Sequence, residues 1–139
     1  MTGAREVVTR AQFDDRFGRD PLPVLLLEPG SLRICVVNEA AVAVYGYSQA
    51  EFVRLTVADI RPPQEVAPLM TLFAAYSGDI DVQNSRVWIH RLADGSERPA
   101  HVESWPVEFE GMHCRVARIH FLDEEAPSPE AEGDGPALT

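Results

Sequence analysis

The chain has 139 residues, 45% of them hydrophobic and 24% charged, which is enough to bury one core and argues against disorder throughout. Its 22 acids face 12 arginines and no lysine, for a formal net charge of -10, the opposite of the balance that tracks phosphates or an anionic membrane. No apolar run approaches the about 20 residues of a membrane span. Met1 to Arg10 also lacks the apolar stretch of a secretion signal, so the reading is a cytoplasmic protein with reduced thiols at Cys35 and Cys114.

Thr9 and Gln12 have capping-box spacing and Val8 and Phe13 that of a hydrophobic staple, which predicts a helix over Arg10–Phe17, stopped by Gly18. Two apolar runs, Val24–Leu27 and Leu32–Val37, flank Pro29-Gly30-Ser31 as a β-hairpin would. Asn38 caps a short helix, Glu39–Tyr45, ended by Gly46. Ser48 and Glu51 form a second capping box, with Tyr47 and Phe52 as its staple. Beyond Pro62-Pro63, the residues Leu69, Leu72, Phe73 and Tyr76 make the apolar stripe of a helix over Glu65–Tyr76, with Pro68 in its first turn and Gly78 as its stop. Three strands follow, Ser85–Leu92, Arg98–Phe109 and His113–Leu122, with Asp94-Gly95 and Glu110-Gly111 read as two-residue turns. The order predicts an α+β domain with an antiparallel sheet over residues 20–122, behind an N-terminal helical extension, 1–19. From Asp123 to Thr139 there are six acids, no base, three prolines and two glycines, the composition of a disordered acidic tail.

Four segments in this order carry a resemblance: Leu32-Arg33-Ile34-Cys35-Val36-Val37-Asn38-Glu39-Ala40-Ala41, Tyr45-Gly46-Tyr47-Ser48-Gln49-Ala50-Glu51-Phe52, Asp59-Ile60-Arg61-Pro62-Pro63 and His90-Arg91-Leu92-Ala93-Asp94-Gly95-Ser96. Together they make residues 20–122 resemble a PAS domain. The resemblance implies a five-stranded antiparallel sheet in the order 2-1-5-4-3, with short helices over one face enclosing a small cavity. It further implies a sensory or dimerisation module of bacterial-type signalling, often attached to kinases, cyclases or transcription regulators.

Cofactor-bearing members of that family carry signatures this chain departs from. The flavin photosensors have a reactive cysteine in an Asn-Cys-Arg run, and neither Cys35 nor Cys114 lies in one. Haem binders offer a histidine on the long helix, and Glu65–Tyr76 has none; Met70 there reads as packing. A flavin photoadduct and haem are therefore not expected. The cofactor is left unknown, and both cysteines read as buried core thiols.

Strand parity under the two-residue turns divides the sheet. Val87, Ile89, Ala100, Val102, Ser104, Ala117, Ile119 and Phe121 fall on one face. Arg86, Trp88, His90, His101, Glu103, Trp105, Arg118 and His120 fall on the other. The first face should meet the helical stripe, which makes Leu69, Leu72, Phe73, Tyr76, Ile89, Val102, Ser104, Ile119 and Phe121 the expected ligand-pocket residues. A pocket so lined suits a small, mostly apolar ligand; side chains that simply fill it are the other reading, and both stay open. The second face, with Trp88 and Trp105, would be covered by Phe13 and Phe17 of the leading helix and by a second copy of the chain, giving a homodimer. His90, His101 and His120 share that face without a third ligand fixed by spacing, so no metal site is expected.

The leading reading is a non-catalytic sensory or regulatory module that binds a small ligand and signals through dimerisation or a partner protein. The alternative is a ligand-free protein–protein interaction module. With Pro127, Pro129 and Gly133 after the last strand, no helical output linker is expected, so the chain would signal in trans or derive from a longer protein. Neither nucleic acid nor membrane is an expected partner.

Overall fold

Three of the four predicted helix starts are closed by their own side chains in the computed structural model, which describes residues 6–75, 82–83 and 86–123. At α1 (Arg10–Phe17), Thr9 accepts from the Gln12 backbone N–H at 3.0 Å and Gln12 accepts from that of Thr9 at 2.9 Å. Ser48 and Glu51 repeat this reciprocal pair at α3 (Gln49–Phe52). Asn38 caps α2 (Glu39–Tyr45) by accepting from the Ala41 N–H at 3.0 Å, and Gly46 ends that helix at φ 87°, where a side chain is strained. Such caps each contribute about 1 kcal/mol. Asn38 does more than cap: it also accepts from the Val24 N–H at 2.9 Å and donates to the Phe17 and Leu22 carbonyls.

The chain continues β1 (Glu6–Val7), α1, β2 (Val24–Glu28), β3 (Arg33–Val37), α2, α3, a 3-10 turn (Pro63–Glu65), α4 (Val66–Ala75), β4 (Val82–Gln83), β5 (Trp88–Arg91), β6 (Glu97–Phe109) and β7 (Met112–Phe121). Its principal strands lie in the order β3-β2-β7-β6-β5, antiparallel throughout. Counted from β2, that is the expected 2-1-5-4-3. The expectation lacked two short strands. β4 pairs with Glu103 and Ser104, and β1 runs parallel to Val107 and Glu108, so β5, β4 and β1 share one edge of β6 in succession. Glu6 and Val7, ahead of α1, are thereby built into the sheet.

The two sheet faces carry separate cores. The inner one gathers Leu25, Leu27, Ile34, Val37, Tyr45, Phe52, Ile60, Leu69, Trp88 and Ile119 under the helices. The outer one joins Phe13 and Phe17 of α1 to Val24, Leu26, Val36, Val107, Phe109, Cys114 and Val116. A bulge in the β2–β3 register leaves Cys35 as the extra residue, which brings Ile34 and Val37 to the same face. Cys114 is a buried thiol as expected. Cys35 is only partly buried, because the bulge sets it at the rim of the outer core.

Turn chemistry decides the remaining register. Glu110 and Gly111 have φ 51° and 77°, a two-residue turn that pairs Val102 with Ile119 and His101 with His120, as expected. Asp94-Gly95 behaves differently. The Gly95 N–H donates to the Leu92 carbonyl at 3.0 Å, Gly95 takes φ 89°, and Leu92 pairs with Ser96 around a three-residue loop. Ala93 is held in that loop by donating to the Tyr45 carbonyl at 2.7 Å, a contact that the bare Gly46 allows. Trp88 therefore opposes Ala100 rather than His101, and every side chain of β5 changes face.

Candidate functional site

A cavity of about 50 Å³ lies between the inner sheet face and α4. Leu69, Leu72 and Phe73 of α4 line it, with Val102, Ser104 and Ile119 of the sheet, all expected there. Leu25, Leu27, Val57 and Ala117 complete the apolar wall. Of the other expected lining residues, Phe121 does not line the cavity but packs half-buried beside the inner core, with its ring centroid 5.7 Å from that of Tyr45 and 6.0 Å from that of His90. Tyr76 lies outside the described residues. Ile89 is a correction: the longer turn rotates it to the half-buried opposite face.

The same rotation brings Trp88 and His90 inward, buried at 2% and 0% exposure, and both line the cavity. Trp88 therefore cannot be an interface residue on the outer face. The three histidines are also divided, since His90 faces inward while the β6–β7 register leaves His101 and His120 outside. Trp105 does stand on the outer face, half-buried, its ring 6.0 Å from that of Phe17. Phe13 and Phe17 are buried in α1's contact with the chain's own sheet.

Polar groups reach the cavity that the expected lining lacked. Arg61, 8% exposed, follows Ile60 in the loop ahead of Pro62 and turns back so that Nη1 donates to the Val57 carbonyl at 2.8 Å. Its guanidinium carbon stands 5.4 Å from the Trp88 ring centroid, a cation–π distance, and Nε has no hydrogen-bond partner. Burial pulls the Arg61 pKa down to about 10, opposed by the nearby Glu65 carboxylate. His90 Nδ1 lies 2.6 Å from the Tyr45 hydroxyl, and its buried Nε2 has no partner. Burial, with the Arg61 charge adding to it, holds the His90 pKa well below the usual imidazole value, so the ring is neutral. Arg115 is 3% exposed and donates through Nε to Ser104 at 3.1 Å. Glu65 closes the β5 end, accepting from the Ile89 N–H at 3.1 Å and pairing with Arg86 at 3.4 Å.

Arg115 was within reach of the sequence, because parity carried two residues back from Ala117 places it on the inner face. Arg61 and Glu65 gave no such signal, since a loop and a 3-10 turn have no face to count. Neither thiol lines the cavity; both lie with the outer core.

No family model and no curated protein matches the sequence. Solved structures do match. The PAS domain of an HTR-like protein from Haloarcula marismortui superposes with a TM-score of 0.68 at 19% identity, covering 81% of this chain and 90% of that one. For the PAS domain of nitrogen regulation protein NR(II) from Vibrio parahaemolyticus the TM-score is 0.60 at 18% identity, over 78% and 96%. The chain has a PAS fold. A domain of a sensory box sensor histidine kinase/response regulator from Geobacter sulfurreducens is also similar, with a TM-score of 0.62 at 11% identity over 78% of this chain and 90% of that one. The cavity described above thus lies where the PAS fold packs its helices on the sheet, and its polar lining comes from this chain's own Arg61, His90, Ser104 and Arg115.

Proposed function

We propose that this chain is a non-catalytic sensory or regulatory module whose input is a small molecule held in the cavity between the sheet and α4. The output would pass through dimerisation or to a partner protein. One observation carries the reading: Arg61 and His90 line one cavity, and each keeps a buried polar atom, Nε and Nε2, without a partner. Buried polar groups are normally satisfied, and each such orphan costs about 1–3 kcal/mol, which a ligand would recover. The wall beside them is mostly apolar, which suits a ligand with an apolar body. The likeness to domains of a nitrogen regulation protein and a sensor histidine kinase supports the signalling side of the reading. With Arg61 charged and His90 kept neutral, the polar groups suit binding better than proton transfer.

The small volume of about 50 Å³ favours the second reading, a ligand-free interaction module with a nearly filled interior. Extraction of the purified protein followed by mass spectrometry separates the two. A stoichiometric retained molecule, or a small molecule that raises the melting temperature saturably, supports the sensor. An empty cavity that no compound in a metabolite panel stabilises leaves the interaction module.

A further inference from the structure

We propose that the cavity takes a short monocarboxylate, its oxygens accepting from Arg61 Nε–H and His90 Nε2–H and its alkyl chain lying against Leu69, Leu72 and Phe73. This rests on the reading of the cavity as an input site and names the class of ligand.

The hydrogen-bond directions define the head group. The buried Tyr45 hydroxyl has His90 Nδ1 as its partner, at 2.6 Å, and no other among the described residues. The phenol proton needs that acceptor, so Nδ1 carries the lone pair and Nε2 carries the hydrogen. Arg61 Nε is a donor in every protonation state of the protein's working range. Both orphans are therefore N–H groups, and what satisfies them is an acceptor. A cation or a pure donor fits neither.

Charge separates a carboxylate from a neutral acceptor. The groups around this end are Arg61 and Arg86 against Glu65, whose carboxylate is already engaged by the Ile89 N–H and by Arg86. One anion more would balance the buried Arg61, and two oxygens match two separate N–H groups. Size and lining set the rest. A volume of about 50 Å³ admits a few heavy atoms, and the apolar helix wall disfavours a polyanion such as phosphate.

The test uses the whole chain with butyrate and its neutral isostere butyramide as probes, followed by calorimetry and by the side-chain N–H resonances of Arg61 and His90. Butyrate is expected to bind saturably, to shift both resonances, and to bind roughly tenfold or more tightly than butyramide. In Arg61→Gln the preference for butyrate should disappear; if that variant does not fold, the two wild-type resonances decide alone. Equal binding of the two probes keeps the cavity as a ligand site and overturns the carboxylate. A neutral molecule retained on purification overturns the carboxylate in the same way. If neither probe moves either resonance and both N–H groups are satisfied by water, the carboxylate and the input-site reading fall together.

Discussion

His90 couples stability to acidity. Its folded-state pKa is depressed well below 6.5 by burial and by Arg61, whereas the unfolded chain protonates it near 6.5. Above that pH the imidazole is neutral in both states and its contribution is complete. As pH falls below 6.5 the unfolded state takes up a proton that the folded state refuses, and stability drops by about 1.4 kcal/mol per pH unit. Urea midpoints at pH 7 and pH 5 should therefore diverge more for the wild type than for His90→Gln, which keeps a hydrogen-bonding partner for Tyr45 but does not titrate. An identical pH dependence in the variant would show that the buried imidazole is not the coupled group.

At the scale of the element, the β5–β6 hairpin is where the chain's local rules compete. Alternation along β5, β6 and β7 was legible, and Glu110-Gly111 set the β6–β7 register correctly because two consecutive positive φ values define its turn. Asp94-Gly95 offers two solutions, since a glycine after an aspartate also completes a type I turn with a left-handed third residue. The choice is made by a tertiary contact, Ala93 docking on the end of α2, which no local pattern encodes. The mutational ranking follows from the register. Trp88→Ala should cost about 3–5 kcal/mol and Ile89→Ala under about 1.5 kcal/mol, the reverse of what a two-residue turn requires. Gly95 has open space around it but φ 89°, so Gly95→Ala should lower stability by about 1 kcal/mol through backbone strain alone. Chemical denaturation reads all three. The helices were legible to the residue where a capping box fixed them, at Thr9 and Ser48. The polar end of the site was not, because Arg61 and Glu65 come from irregular segments placed only by packing.

For the whole molecule, the position of α1 governs association. Phe13 and Phe17 cover an outer face that would otherwise offer Leu26, Val36, Trp105 and Val116 to solvent. A patch of that kind draws a partner. A chain lacking residues 1–19 should therefore self-associate in sedimentation at concentrations where the intact chain does so less, with a lower melting temperature. A shortened chain with unchanged mass and melting temperature would mean that α1 contributes little to covering the sheet.

The shared edge of β6 has a kinetic consequence. Strand β7 pairs with β6 over ten residues, while β5, β4 and β1 hold the other edge in short stretches of four, two and two. Amide protons between β6 and β7 should exchange with deuterium only through global unfolding, at rates that rise steeply with denaturant. The Val8 N–H, bonded to the Glu108 carbonyl at 2.9 Å at the end of the two-residue β1, should instead exchange through local release of the N-terminal segment, almost independently of denaturant. If so, the cover on the outer face opens many times for each unfolding of the sheet, and the sheet beneath it is presented without loss of the domain.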